Sequence, residues 1–203
     1  MTPRQLSSFP FSLRPFTAKS SASPGSGPIA PTANLSIEGS IAIGAELLEV
    51  TYRLIGDLEL LEIPQAAAVP QRRDLLWQTT CLELFLARQG ADEYWEFNLS
   101  PAGHWNVYHL EGYRQGLLAE PAYQELPFQL TRNAQELGLA LRCALPPGLL
   151  CQNTQPADGA GALEVGITAV VAEANGPIGY WALHHPATEA DFHHRGGFCL
   201  RFP

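Results

Sequence analysis

The pattern of hydrophobic and polar residues is clearest over residues 72–114, where it predicts three consecutive antiparallel strands. From Leu76 to Leu86 most even positions are leucine, and from Glu93 to Ser100 the apolar residues again fall on every second position. A period of two is typical of a strand that turns one face to a core. The short segment 88–92 contains Gly90 and is suited to a hairpin turn between the first two strands.

The register of these strands follows from burial, because a shift by one residue would turn every side chain to the opposite face. When the leucines lie opposite the apolar residues of the second strand, the remaining side chains form one polar sheet face. That face carries Trp77, Thr79, Glu83, Glu96 and Asn98, and the third strand continues it with His104, Asn106 and Tyr108. Antiparallel sheets often have one face in water, so the polar face is either a ligand platform or a solvated outer surface.

The same alternation recurs along the rest of the chain, and no segment has the period of a helix of convincing length. The further strands that it predicts span residues 9–16, 35–43, 48–54, 128–132, 136–145, 163–171, 178–183 and 198–202. About ten strands with short turns are typical of an all-β fold, a two-sheet antiparallel β-sandwich of the immunoglobulin or jelly-roll kind. The chain has no internal repeat, which argues against a propeller or a solenoid.

The length of 203 residues and the hydrophobic content of 46% fit one domain with a substantial core. We therefore predict a single domain over residues 1–203. Residues 18–33 are mainly Ser, Pro, Gly and Ala, a composition that predicts a flexible loop inside that domain. The segment before this loop is too short to form a domain of its own.

Charge and composition argue against several partners. The net charge is -8, only twelve residues are basic, and no basic stripe is present, which argues against nucleic acid. No apolar run approaches the roughly 20 residues of a membrane span, and the N-terminus lacks the apolar core of a secretory signal. The four cysteines form no Cys-x-x-Cys pair and predict free thiols in a reducing compartment, so we expect a cytoplasmic protein.

Histidines are concentrated in residues 184–197, HHPATEADFHHRGG, together with Glu189 and Asp191. A metal site needs three or four converging ligands, and the spacing in this histidine segment does not impose that convergence. Imidazoles that bind loop backbone are the preferred interpretation, and we predict neither a metal nor a cofactor. The segment contributes His193 and Arg195 to the candidate ligand-binding residues.

Glu83 and Glu96 are the pair of acids that the predicted register brings to a single face. Paired carboxyl groups hydrolyse glycosides when they flank a cleft, although acids on a solvated sheet face are common. The sequence contains no Gly-x-Ser-x-Gly elbow, phosphate loop or dinucleotide-binding fingerprint. We therefore predict no catalytic residue and no enzymatic activity.

The four tryptophans divide into two groups. Trp95 and Trp105 fall on the apolar face of the central strands, so they are predicted to lie in the core. Trp77 begins a strand on the polar face, and Trp181 lies on a strand that leads into the histidine segment. These two are candidates for a platform on which a sugar ring stacks, with ordinary packing as the alternative for each.

Three segments resemble the DOMON-like family, which is related to type 9 carbohydrate-binding modules: LLWQTTCLELFL, EYWEFNLSPAGHWNVY and HHPATEADFHHRGGF. With the strands between them, the resemblance spans residues 9–203. It implies a β-sandwich whose relatives bind sugars or haem. In the sugar-binding relatives two tryptophans enclose a sugar, and a nearby Glu, Asn and Arg bind its hydroxyl groups.

Carried onto this sequence, the resemblance implies that Trp77, Glu83 and Asn98 bind a sugar and that Trp181 is the second tryptophan. Thr80 stands where the relatives carry an acid three residues after the first tryptophan.

Haem-binding relatives use Met with His or Lys as axial ligands. The only Met here is Met1 and the only Lys is Lys19, in the loop of residues 18–33. That composition argues against haem ligation of this type and leaves a pair of histidines from the histidine segment as the alternative.

Together these observations favour a non-catalytic module that binds a saccharide or a cell-wall fragment on a tryptophan-rimmed sheet face. The full set of candidate ligand-binding residues is Trp77, Glu83, Glu96, Asn98, Trp181, His193 and Arg195. The alternative is a protein–protein interaction domain that docks a partner through the same face or through the histidine segment. Haem binding and glycoside processing are less favoured.

Overall fold

A computed structural model describes residues 8–17, 34–149 and 162–203 of the chain. Over these ranges the chain forms two antiparallel sheets, one of five strands and one of eight, and the predicted β-sandwich is confirmed. The helical elements of the described residues are 3₁₀ turns of three residues each, at Leu58–Leu60, Leu76–Gln78, Pro147–Leu149 and Arg195–Gly197. None of the described helices is long and apolar enough to cross a membrane.

The five-stranded sheet has its strands in the spatial order β1, β3, β4, β10 and β9. Their bounds are β1 Phe9–Ser12, β3 Leu35–Ile43, β4 Leu47–Gly56, β10 Glu136–Ala144 and β9 Phe128–Arg132. The eight-stranded sheet has the order β2, β12, β11, β5, β6, β7 and β8, and β13 pairs with β11 beside this path. Its strands are β2 Arg14–Pro15, β12 Ile178–Ala182, β11 Leu163–Ala172, β5 Cys81–Arg88, β6 Tyr94–Leu99, β7 Trp105–Leu110, β8 Leu118–Ala119 and β13 Leu200–Phe202.

The register predicted for the central hairpin is confirmed. In the pairing of β5 with β6, three leucines lie opposite the three apolar residues of the second strand, as Leu82–Leu99, Leu84–Phe97 and Leu86–Trp95. All six side chains belong to the core between the two sheets. The pairing works because both strands alternate with a period of two, so one register buries both apolar sets at once.

The core fills the space between the inner faces of the two sheets. Trp95 and Trp105 are buried there, as their positions in the alternation predict. The phenol of Tyr52 from β4 crosses the core and donates a hydrogen bond of 2.7 Å to the backbone oxygen of Glu83 in β5. A buried hydroxyl needs such a partner, and this bond ties the two sheets together at their centre.

The first strand of the predicted hairpin is shorter than its sequence pattern. Residues 76–78 form a 3₁₀ turn and β5 begins only at Cys81, so Trp77 lies on a turn rather than on a strand. The turn follows Leu75, which has a left-handed φ of 61°. Thr80 is the residue directly before β5. Its hydroxyl donates a hydrogen bond to the backbone oxygen of Glu62 and accepts one from the amide of Ala172.

The described residues contain thirteen strands, whereas the sequence predicts about ten. Two of the additional strands are pairings of only two residues. The segment predicted as one strand over 9–16 changes sheets at Leu13, which separates β1 from β2, and β8 is a short pairing with β7. The predicted loop of residues 18–33 lies outside the described residues.

Phe97 gives a direct test of this core, because its side chain is fully buried between the sheets. We expect Phe97→Ala to lower the free energy of unfolding by about 3–5 kcal/mol, through lost apolar burial and the cavity that it leaves. Val69→Ala, at an exposed position, should stay within about 0.5 kcal/mol of the native protein. Urea denaturation of the three proteins measures both values, and equal stabilities would contradict the placement of Phe97.

Candidate ligand-binding site

The face of the eight-stranded sheet that points away from the five-stranded sheet, here called the outer face, is covered rather than open. A second apolar cluster lies on it, formed by Phe85, Ala87, Tyr94, Tyr108, Leu110 and Phe198, with Trp77 and Phe192 packed against it. Trp77 comes from the 3₁₀ turn before β5, and Phe192 comes from the histidine segment. The polar face predicted from the sequence therefore exists, but it is neither an open platform nor a solvated surface.

The low exposure of its polar residues also shows that the outer face is covered. Glu83, Glu96 and Asn98 are 2%, 4% and 0% exposed. Charged residues are almost never this buried unless a partner or a function holds them there. The outer face is thus where the chain concentrates polar groups that are costly to bury.

A cavity of about 390 Å³ opens on the outer face. Two acids, one arginine and one histidine line it, namely Glu83, Glu96, Arg114 and His193. Its aromatic walls are Trp77, Phe85, Tyr180 and Phe192, and its aliphatic walls are Leu110, Leu117, Val170 and Ala190. This volume and this mixture of aromatic walls with a few convergent polar groups are typical of a site for a small ligand.

Strand register sets Glu83 and Glu96, the acid pair, beside each other. Glu83 lies opposite Asn98, and Glu96 lies opposite Phe85, so the two acids are diagonal neighbours on adjacent strands. One oxygen of each acid is satisfied: Oε2 of Glu83 accepts from Thr168 at 3.2 Å, and Oε1 of Glu96 accepts from Asn98 at 2.7 Å. The other two oxygens, Glu83 Oε1 and Glu96 Oε2, are buried without a hydrogen-bond partner.

The environment of the acid pair favours the protonated form. Burial raises the pKa of Glu83 well above its ordinary value, and the neighbouring charge of Glu96 raises it further. Burial also raises the pKa of Glu96 to about 7, although the hydrogen bond from Asn98 and the charge of Arg114 oppose this rise. A carboxylate deprived of water and of a matched cation is costly, so the pair retains a proton near neutral pH.

Asp191 holds the histidine segment against the loop that follows β7. It accepts hydrogen bonds from the hydroxyl of Tyr113 at 2.6 Å, from Nη2 of Arg114 at 3.0 Å and from the amide of His193 at 3.1 Å. Although burial opposes it, the hydrogen bonds from Tyr113 and Arg114 lower the pKa of Asp191. Asp191 is therefore ionised, and its negative charge balances the positive charge of Arg114.

His193 lines the cavity as a neutral imidazole. Its Nδ1 pairs with the hydroxyl of Tyr94 at 2.8 Å, and its ring packs edge-on against Phe85. The same nitrogen is 4.0 Å from Oε2 of Glu96. Burial, followed by the charge of Arg114, lowers the pKa of His193 to about 4, so the imidazole brings no positive charge to the acid pair at neutral pH.

A polar network fixes the position of Trp77. Asp74 accepts hydrogen bonds from Asn106 at 3.0 Å and from the hydroxyl of Tyr108 at 2.7 Å, both on the outer face of β7. The indole of Trp77 packs edge-on against Tyr108, with ring centroids 5.9 Å apart. Among the described residues, Leu75 and Arg114 are the non-glycine residues with a left-handed φ. Arg114 lines the cavity, and Leu75 directly precedes the turn that carries Trp77. Backbone strain of this kind is concentrated at functional sites.

The structure brings four of the seven candidate residues to the cavity, namely Trp77, Glu83, Glu96 and His193. Asn98 lies behind them and orients Glu96 through its amide. The remaining two candidates, Trp181 and Arg195, are not among the residues that line it.

Trp181 is directed to the opposite side of its sheet. It pairs with Ala169 of β11 and is buried in the core between the sheets, so it is not available for stacking on a ligand. The preceding residue, Tyr180, pairs with Val170 and reaches the cavity. The predicted rim of two tryptophans is therefore one tryptophan together with Tyr180 and two phenylalanines. The alternation of β11, which buries Ile167 and Ala169, carried the signal that Trp181 is an inner residue.

Arg195 makes its contacts outside the cavity. Its Nη2 donates to a carboxylate oxygen of Glu164 and to the backbone oxygen of Arg88, and its guanidinium lies over the ring of Phe198. The arginine of the cavity is Arg114 instead. Its role was missed because it depends on the contact between two distant loops, which no local pattern reports.

Two other histidines of the histidine segment bind backbone groups. Nε2 of His185 pairs with the backbone oxygen of Arg14 at 2.9 Å, and Nδ1 of His194 accepts from the amide of Gly196 at 3.0 Å. These contacts agree with the structural interpretation of the imidazoles. In the described ranges of the chain, no three His, Cys, Asp or Glu residues are grouped so as to hold a metal ion.

Comparison with known proteins finds solved structures that share this fold. No protein-family model matches the chain, and no curated protein matches its sequence. A solved structure from Bacteroides uniformis, whose protein carries the provisional description of carbohydrate-binding protein, superposes with a TM-score of 0.56. It is 14% identical and the match covers 92% of this chain and 84% of that chain. At this identity the likeness shows the fold alone, and the DOMON-like assignment stays a prediction.

Two structures of a family 9 carbohydrate-binding module from Caldicellulosiruptor kristjanssonii show a weaker likeness. One is in complex with glucose, with a TM-score of 0.40, 11% identity and coverage of 75% of this chain and 69% of that chain. The other is in complex with cellotriose, with a TM-score of 0.41, 10% identity and coverage of 76% and 68%. These TM-scores are too low to support an argument about this chain.

The acid pair predicts how stability depends on pH. The pKa of Glu96 is higher in the folded protein, at about 7, than in the unfolded chain, so the folded state binds more protons between these values. This contribution to the free energy of unfolding is fully present at acid pH and is lost as the pH rises toward 7. Glu96→Gln removes it. The variant should therefore gain stability relative to the native protein between pH 4.5 and 7.5, by on the order of 3 kcal/mol.

Urea denaturation at several pH values measures this difference. His193 has the opposite effect, because its lowered pKa costs stability as the pH falls below its ordinary value, but it is present in both proteins. Glu59→Gln, at an exposed acid on a 3₁₀ turn, is the matched control and should follow the native protein at every pH. A stability difference for Glu96→Gln that stays constant with pH would contradict the buried, protonated pair.

Proposed function

We propose that the chain is a non-catalytic module that binds a small saccharide in the outer-face cavity. The observation that carries the proposal is the composition of the cavity, which is lined by aromatic rings together with two carboxyl groups. The C–H faces of a sugar ring pack on aromatic rings, while its hydroxyl groups need hydrogen-bond partners when they leave water. Trp77 and Tyr180 supply the first kind of contact, and the acid pair supplies the second.

The arrangement of the acids supports binding over glycoside hydrolysis. Hydrolysis uses two carboxyl groups that flank the scissile bond, one on each side of the sugar. Glu83 and Glu96 are instead diagonal neighbours on adjacent strands, so both lie on the same wall of the cavity. A pair on one wall can bind hydroxyl groups from one direction.

The fold agrees with this proposal without establishing it. The sandwich is shared with the Bacteroides uniformis protein over most of both chains. The sequence resemblance to type 9 carbohydrate-binding modules involves Trp77, Glu83 and Asn98, and these three residues lie at or directly behind the cavity. The functional inference rests on these residues rather than on the fold, because one fold hosts many functions.

Loss of the aromatic walls tests the proposal. Trp77→Ala and Tyr180→Ala each remove a ring that lines the cavity, and we expect each to weaken sugar binding by about tenfold or more, an effect of about 1.4 kcal/mol. Calorimetric and tryptophan-fluorescence titrations with glucose and with short glucose and glucosamine oligomers measure the affinities.

Trp181→Phe is the matched control, because Trp181 is buried between the sheets and does not line the cavity. It should lower thermal stability and keep sugar affinity. The proposal fails if no sugar of the panel binds the native protein, or if both cavity variants bind as tightly as the native protein does.

A further inference from the structure

The acid pair has no matched positive charge in the part of the chain that the structure describes around the cavity. The cation that lines the cavity, Arg114, makes its ion pair with Asp191 at 3.0 Å. His193 lies 4.0 Å from Glu96 but is neutral near pH 7. The groups that do bind the acids, Thr168 and Asn98, are uncharged.

Unmatched, buried carboxyl groups are expensive for a protein to keep. Removing two acids from water costs several kcal/mol each unless protons or partners compensate. Here one oxygen of each acid has a hydrogen-bond donor, and the other oxygen has neither a protein partner nor solvent. The two unpaired oxygens belong to Glu83 and Glu96, which line the same cavity. A single ligand group in that cavity could therefore supply both the hydrogen-bond donors and the positive charge that the acid pair lacks.

A primary ammonium group supplies what this place lacks. It carries one positive charge and three N–H donors, and it has no acceptor that would be left unsatisfied. The terminal torsion of a glutamate side chain is broad, so a small rotation turns an oxygen of either acid toward a group in the cavity. The rings of Trp77, Tyr180 and Phe85 add attraction, because aromatic faces stabilise a nearby cation.

We infer that the cavity selects a saccharide bearing a primary amine, an amino sugar, over a neutral sugar of the same size, with the ammonium group at the acid pair. This inference rests on the proposed function and adds the chemical class of the sugar. An acetylated amine would not satisfy it, because acetylation removes the charge and two of the donors. The ammonium takes over the stabilisation that a bound proton provides in the free protein.

Binding of an ammonium group should release a proton from the acid pair. The titratable groups around the pair show that the proton comes from these acids and not from a neighbour. The titratable groups that surround the acid pair are Tyr52, Cys81, Tyr94, Tyr108, Arg114, Asp191 and His193. The pKa values of the tyrosines, the cysteine and the arginine are raised, and those of Asp191 and His193 are lowered. Each of these groups therefore keeps one charge state near pH 7, and the acid pair is the group that titrates.

Calorimetry with glucosamine, glucose and N-acetylglucosamine at pH 7 tests the inference on the native protein. We expect glucosamine to bind about tenfold or more tightly than the other two sugars, as charge-assisted hydrogen bonds imply. The binding heat of glucosamine should change with the ionisation enthalpy of the buffer, which reports proton release. The heat of glucose should not change in this way.

Glu96→Gln and Glu83→Gln, tested separately, should each bring the ratio of glucosamine to glucose affinity toward one. The control Glu59→Gln, at an exposed acid away from the cavity, should keep the native ratio. If glucose binds as tightly as glucosamine to the native protein, the inference fails and the proposed function stands. If none of the three sugars binds, the proposed function fails and the inference fails with it.

Discussion

The antiparallel pairing of β5 with β6 on one side and β11 on the other is the constraint on which the rest of the structure depends. This register sends the leucines of β5 between the sheets and leaves Glu83 on the outer face. It also sets Glu83 opposite Asn98 and beside Thr168, which are the two neighbours that shape the acid pair. A slip by one residue would place leucines among the polar groups and carboxyl groups in the core, so packing and site chemistry are specified together.

The outer face differs from the usual solvated face of a sandwich because distant segments cover it. The turn of residues 76–78 and the histidine segment both pack on the sheet, and Asp191 joins the latter to Arg114 and Tyr113. Covering the face removes water from Glu83 and Glu96, and this loss of solvation is the largest cause of their raised pKa values. The same covering creates the cavity. The electrostatics of the site are therefore a consequence of the loops and not of the strands alone.

The aromatic and acidic parts of the cavity are complementary in function. The rings favour flat, apolar sugar faces, and the acids favour donors, either hydroxyl or ammonium. A pair of buried acids would be a poor site for a ligand that brings only acceptors. The cation of the cavity is neutralised by Asp191, which leaves the carboxyl groups to set the sign of the local field.

The sequence by itself determined the β-sandwich, the register of the central hairpin, the core positions of Trp95 and Trp105, and the shared face of Glu83, Glu96 and Asn98. Each of these depends on local alternation, which any sequence displays directly. Only the tertiary structure decided that this face is buried, that Tyr180 rather than Trp181 reaches it, and that Arg114 lines the cavity while bonded to Asp191. These features arise from contacts between segments far apart in the chain, and such contacts leave no periodic trace in either segment.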